Sequence, residues 1–351
     1  MVRIVSPITK LDEAKPLIEA GADELYCGVL TEEENRDLTN ICCLNRRPSS
    51  FSNLRNFNEL SCLVKIAKDS GVKVSLTLNE FYTKQQFDNV KQQIEKAVGL
   101  GVDAIIAVDL GVIEELRQYR DKIKLHIGVG GTTFNHNTVQ FYRNLGARRI
   151  ILPRHLSLTE ISQIRSMTGG GEPDLECLIL NERCHNIDGL CGFEHGVFSY
   201  KKTQAIVSKY AQTLKKIYRF LPKWLVNFVH VYGMEKELAC CFNYKIREKR
   251  GRDVFPEKTR PRLEDFFDAD SFLNACGACS LGELENAGVK FVKIVGRVFF
   301  KDKVNDVKFI RHCLGLLENG SLSPGEYNNL AMKAYRKYFN KRCKRSYCYY
   351  P

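Results

Sequence analysis

No run of apolar residues in this chain approaches the roughly 20 needed to cross a bilayer as a helix. The opening Met1-Val2-Arg3-Ile4-Val5-Ser6-Pro7 lacks the basic region, apolar run and small-residue cleavage site of an export signal. It reads directly as a first strand, and a cytoplasmic location is the expectation. Neither an HExxH helix nor a GxSxG elbow is present, so two common hydrolase chemistries lack their residues. Acidic residues are absent between Glu194 and Glu235, and the whole chain carries a net charge of +12. That surplus favours anionic partners without naming one. The plain alternative is a basic, solvated surface.

What the sequence does have is sulfur. Fourteen cysteines in a chain without an export signal argue against a disulfide framework and for ligation or redox work. The stretch of residues 175–279 organises them. A strand ends near Leu180, and Cys184 and Cys191 follow around a turn that Gly189 permits. Cys240 and Cys241 come next, then Cys276-Gly277-Ala278-Cys279. Loop-closure entropy grows only with the logarithm of length, so these distant thiols can share one site. Four thiolates suit an iron–sulfur cluster or a tetrahedral zinc ion equally. A further pair, Cys343 and Cys348, is either a metal-binding pair or two free thiols.

Short apolar runs alternate with amphipathic ones through most of the chain. Strands are expected at residues 3–7, 24–29, 73–78, 103–108, 122–127, 148–152, 175–180 and 289–294. Helices are expected at 11–20, 58–70, 85–100, 112–119, 138–145, 157–167, 281–287 and 305–317, several stopped by a glycine. Eight strands alternating with helices predict a closed parallel (β/α)8 barrel of the TIM type, with an open doubly wound sheet as the rival. Residues 31–56 form a connection longer than connections usually are, which suggests a functional excursion. The organisation read from this pattern is a barrel of seven strands over 1–195 and a basic helical insert over 196–262. Residues 263–320 then close the barrel, and 321–351 form a basic, cysteine-containing tail. In the insert, lysines such as Lys215 and Lys216 interleave with aromatics such as Tyr218 and Trp224. Such a face suits phosphates and stacked bases, or a membrane surface, or packing on the barrel with solvated lysines.

In a barrel of this kind chemistry sits where the strands end. Those ends carry Ser6, Cys27, Asn79 with Glu80, Asp109, Gly130 to Asn135, Arg154 with His155, Asn181 with Glu182, and Arg297. Arginine suits bidentate contact with a carboxylate. Glu80 and Asp109 are candidates for orienting substrate or exchanging protons, with capping or ion pairing as the alternative for each.

Several segments together resemble the collagenase-like peptidase family, the thirty-second of the unclassified peptidases. They are Glu19-Ala20-Gly21-Ala22-Asp23-Glu24-Leu25-Tyr26-Cys27-Gly28, Asp109-Leu110-Gly111, the run from Leu145 to Arg154, and Cys184-x6-Cys191. Cys276 ahead of Gly288, followed by Lys293-Ile294-Val295-Gly296-Arg297, completes the set. The resemblance implies a 4Fe–4S cluster and oxygen-independent hydroxylation of a ubiquinone ring precursor or of nucleobases in RNA. Prephenate is the implied hydroxyl source. By position Cys184, Cys191 and Cys276 match cluster cysteines. Cys240 is preferred over Cys241 as the fourth, and Cys279 is a substitute. A dianionic donor would call on Arg154, Arg297 and His126. Val295 stands where the family has an acidic residue, and the long insert replaces a short segment. Three readings follow: a hydroxylating oxidoreductase, a peptidase using Cys184 and His185, or a non-enzymatic RNA-binding or partner subunit with a structural cluster. A homologous partner subunit is a further expectation.

Overall fold

The computed structural model describes residues 2–31, 44–47, 52–182, 188–190, 274–297, 302–318 and 322–350. Its eight strands are β1 (Arg3–Pro7), β2 (Glu24–Cys27), β3 (Lys73–Leu78), β4 (Ala104–Ala107), β5 (Lys124–Ile127), β6 (Ala147–Ile151), β7 (Asp174–Leu180) and β8 (Val289–Ile294). All neighbours run parallel, and β8 pairs back to β1 with Ile4 opposite Val292. The sheet is therefore closed, as the alternation predicts, and not an open wound sheet.

Helices cover the outside: α1 (Ala14–Glu19), α2 (Phe57–Asp69), α3 (Lys84–Gly99), α4 (Leu110–Leu116), α5 (His136–Asn144), α6 (Leu158–Thr168), α7 (Leu281–Asn286), α8 (Lys303–Glu318) and α9 (Pro324–Phe339). Their starts are written locally. Ser157 and Glu160 form a reciprocal capping box at α6, and the Asn56 and Asn135 side chains accept N–H groups of Glu59 and Thr138. The expected helix over 11–20 opens instead as a 3-10 turn at Leu11–Glu13, because the Glu13 carboxylate takes the N–H of Thr9.

Burial divides into two apolar bodies. The larger lies between sheet and helices, with Leu25, Leu76 and Ile105 facing Leu63, Ile94 and Ile113. The smaller takes Val5, Tyr26, Ile106, Ile151, Leu178 and Phe291 from six different strands, and fills the barrel interior. Tyr349 belongs to that interior cluster, although it lies in the stretch read from sequence as a tail.

That stretch holds the main unexpected element. Helix α9 begins at a Ser323–Glu326 capping box with Pro324 in the first turn, and packs on α8 through Phe309, Tyr335 and Phe339. Beyond it, Tyr347 is buried, and the chain returns to the barrel. The insert over 196–262 and Cys184, His185, Cys191, Cys240 and Cys241 lie outside the described residues.

Candidate functional site

The C-terminal ends of the strands gather a rim of polar groups, and arginine dominates it. Arg154, after β6, donates to Asp188 from Nη2 at 2.7 Å and from Nε at 3.1 Å, and its Nη1 donates to the Glu182 carbonyl at 2.7 Å. Asp188 is buried, which raises its carboxyl pKa. The Arg154 charge and hydrogen bonds outweigh that and hold it below the usual carboxylate range. Gly189 beside it has φ +85°, and a Cβ there would meet the Thr132 methyl at 2.2 Å. The turn carrying Asp188 thus lies directly on the Gly130–Thr132 loop.

Arg297, after β8, is 5% exposed. Its Nη2 donates to the Asn45 carbonyl at 2.7 Å and its Nη1 to Asn53 Oδ1 at 3.2 Å. Both partners come from the long connection after β2, which the excursion in the sequence foreshadows. Arg46 and Arg47, from the same connection, were not singled out by sequence. Arg47 pairs with Glu182 at 3.0 Å and Arg46 with Glu80 at 3.5 Å. A four-residue basic pattern, Leu44-Asn45-Arg46-Arg47, was the available signal.

Asp109 and Glu80 take supporting positions. Asp109 caps α4, its Oδ1 accepting the Val112 N–H at 3.0 Å and its Oδ2 the Tyr82 N–H at 3.3 Å. Glu80 accepts the Phe81 N–H at 3.1 Å besides meeting Arg46. Backbone strain concentrates at the same rim, where Arg46, Thr132, Asn181 and Glu182 all have positive φ.

Below the rim the interior is charged. Arg149 on β6 reaches Glu24 and Glu176, each at 2.8 Å. Lys293 on β8 lies 3.2 Å from Glu176 without hydrogen-bond geometry, and 3.7 Å from the Tyr26 ring centroid. Burial lowers the Lys293 pKa, with Glu176 and Glu24 opposing it. His126 sits opposite Arg149 in the ladder. Burial, and then the Arg149 charge, push its imidazole toward the neutral form, and its Nδ1 has no hydrogen-bond partner. It is a neutral interior histidine, poorly suited to bind a dianion.

Of the four expected cluster ligands, Cys276 alone lies among the described residues. An antiparallel bridge joins it to Leu180, the residue that leads β7 toward Cys184. The Ala278 N–H points at its Sγ at 3.5 Å, a contact that favours sulfur as a metal-bound thiolate. Cys276 therefore fits the donor role that the resemblance implies. Cys27 and Cys177 are fully buried within the apolar wall between sheet and helices. Among the described residues no three metal-binding side chains already surround one point.

A closed parallel barrel with arginines and amides gathered at the C-terminal ends of its strands defines this protein as a TIM-type barrel. The chain belongs to peptidase family U32, whose model matches residues 9–351. It is 31% identical over 195 residues to an uncharacterized protease of Methanocaldococcus jannaschii, covering 54% of this chain and 43% of that protein. Against the tRNA hydroxylation protein P of Escherichia coli it is 26% identical, covering 54% of this chain and 38% of that one. The 23S rRNA 5-hydroxycytidine C2501 synthase of Escherichia coli matches at 25% identity over 86% of this chain and 37% of its own length. The chain thus spans about two-fifths of these relatives. A solved U32 peptidase aligns at 16% identity with a TM-score of 0.38, over 51% of this chain and 69% of that one. No helix among the described residues is long and apolar enough to cross a membrane.

Proposed function

We propose that this protein carries out or supports oxygen-independent hydroxylation of a nucleobase in RNA. The reading is carried by the arginine-rich rim at the C-terminal mouth of the barrel, where Arg46, Arg47, Arg154 and Arg297 converge. It is supported by relatives named for tRNA hydroxylation and for rRNA hydroxycytidine synthesis. In this reading a ring C–H becomes C–OH while the C–OH of an organic acid of the prephenate kind is broken and becomes C–H, so the ring loses the two electrons that the donor gains.

The residues that would hold a 4Fe–4S cluster are Cys184, Cys191, Cys240 and Cys276, with Cys241 or Cys279 as substitutes and zinc as the rival occupant. When bound, such a cluster supplies one-electron transfer. The chain's own groups do the positioning. Arg154 already holds Asp188, and Arg297 holds Asn45 and Asn53, so these two shape the mouth. Their binding of a diacid requires an exchange of partners. Arg46 and Arg47 keep 21% and 27% of their side chains exposed, and stand nearer to solvent for an incoming carboxylate or phosphate. The basic insert over 196–262 is the proposed contact for the RNA backbone, and a homologous subunit would complete the assembly.

The test is anaerobic. Protein reconstituted with iron and sulfide is incubated with RNA and prephenate, and digested nucleosides are weighed for one added oxygen. The expected result is a hydroxylated nucleoside that depends on both prephenate and iron. Calorimetry should show prephenate binding that weakens in Arg154→Lys and Arg297→Lys, because lysine cannot make the planar two-pronged contact. Iron-loaded protein that adds no oxygen to any RNA nucleoside would overturn the reading and leave a binding subunit. Cleavage of a collagen-like peptide would instead favour the peptidase.

A further inference from the structure

At the opposite end of the barrel from the rim, where β5 and β6 begin, lies a cleft of about 330 Å³. One wall is the end of α4 with the 3-10 turn Arg117–Tyr119 that follows it, and the other is the end of α5 with the turn into β6. Its floor is apolar. Leu116, Ile123 and Leu125 are buried there, with Leu145 partly buried beside them.

Four arginines line this one cleft, Arg117, Arg120, Arg143 and Arg148, against a single carboxylate, that of Glu172. Arg143 is committed to the wall, since its Nε and Nη2 donate to the Glu172 and Thr168 carbonyls, each at 2.9 Å. Arg148 pairs with Glu172, and both side chains are about half exposed. Arg117 pairs at 3.0 Å with Glu114, which stands outside the cleft, and that pair is exposed too. The Arg120 side chain is exposed and has no hydrogen-bond or ion-pair partner among the described residues. Four guanidinium groups less two carboxylates leave two positive charges without a counterion. Like charges gathered around a concave, part-apolar space create a field that draws in an anion.

We propose that this cleft binds an organic phosphate of nucleotide size, with Arg117, Arg120 and Arg148 on its phosphate groups and its flat, less polar part on Leu116, Ile123 and Leu125. The planar guanidinium fork matches phosphate oxygens in pairs. The volume falls at the lower end of the range of about 300–1,000 Å³ usual for small-molecule sites, and an apolar floor with a few charged groups above it is their common make-up. Inorganic phosphate alone would leave that floor uncovered. The exposed ion pairs of Arg117 and Arg148 cost little to exchange for a ligand, because such pairs contribute little to stability. Barrels of this type do their chemistry at the C-terminal ends of the strands, so the ligand is bound here and not transformed. The site is independent of the hydroxylation reading.

The experiment is calorimetry on the full chain with ADP, pyrophosphate and adenosine. One equivalent of ADP should bind, at least tenfold more tightly than either fragment. Arg117→Gln with Arg120→Gln should weaken ADP at least tenfold and leave the melting temperature unchanged, since both side chains are exposed. Added salt should weaken ADP more steeply in the unaltered protein than in that variant. Amide exchange locates the ligand, and ADP should slow it over 116–125 and 143–148. No binding of ADP at millimolar concentration, an affinity indifferent to the double variant, or protection confined to the barrel mouth would each overturn the proposal. An RNA oligomer that displaces ADP and binds more tightly than it would assign the cleft to a nucleic-acid chain instead. Hydroxylation is read from RNA nucleosides and this site from ADP binding, so either reading can fail while the other stands.

Discussion

A Cβ placed on Gly28 would lie 2.2 Å from Nη1 of Arg297, so the missing side chain at the end of β2 makes the space in which that guanidinium rests. The same Cβ would meet Asn53 Oδ1 at 2.3 Å and Asn45 Nδ2 at 2.6 Å. Gly28→Ala should therefore cost about 1–3 kcal/mol by overpacking. Urea unfolding measures it, and a change within a few tenths of a kcal/mol would show that the Arg297 pocket yields freely.

The Arg154–Asp188 pair makes a pH prediction. The Asp188 carboxyl is depressed in the folded state, because the arginine charge and hydrogen bonds outweigh a burial effect of opposite sign. A depressed value stabilises above the unfolded carboxyl pKa of about 3.9, and that contribution is lost as pH falls through the folded value. Asp188→Asn should destabilise by about 3–5 kcal/mol at pH 7, since it leaves a part-buried guanidinium without its anion. The gap from the unaltered protein should shrink below pH 4. A gap of constant size from pH 7 to pH 3 would refute the linkage.

Asp109 separates capping from catalysis. Its carboxylate serves Val112 and Tyr82 backbone N–H groups at the start of α4, and Asp109→Ala should lower stability by about 1 kcal/mol. Asp109→Asn keeps an acceptor and should recover most of that. Unchanged stability in the alanine variant would return Asp109 to the list of groups free to exchange protons.

Inside the barrel, Arg149 and Lys293 together balance Glu24 and Glu176, and the Arg149 guanidinium lies 3.4 Å from the Phe291 ring centroid. Arg149→Met fills the space but leaves Lys293 as the cation beside two buried carboxylates, so a loss of about 3–5 kcal/mol is expected. Adding Glu24→Gln and Glu176→Gln should restore part of it. Thermal unfolding of the three variants decides whether the charges or the packing carry the interior.

The barrel was legible because short apolar runs alternate with amphipathic ones eight times, several helices end at a glycine, and each strand is short enough for its run to be unbroken. The rim was legible by rule, as strand ends carrying Asn79, Asp109, Arg154 and Arg297. What these residues touch was not. Asn45 and Asn53 meet Arg297 from positions far away in the chain, and no local pattern reports such a pairing. Helix α9 was within reach, since Ser323-Pro324-Gly325-Glu326 writes a helix start. It was obscured by the density of lysine and arginine that follows, which reads as a solvated tail. The bridge between Cys276 and Cys348 lies beyond that helix and was hidden with it.

Tyr349 donates to the carbonyls of Asn181 and Glu182, two consecutive residues with positive φ, and so steers the chain that runs on to Cys184. The donor is made 168 positions after Asn181. During synthesis the exit from β7 must wait for it, with those carbonyls turned to water. A chain stalled on the ribosome before Tyr349 would hold most of its barrel strands while its rim stayed unset. The mouth of the barrel is therefore completed only once Tyr349 has been made.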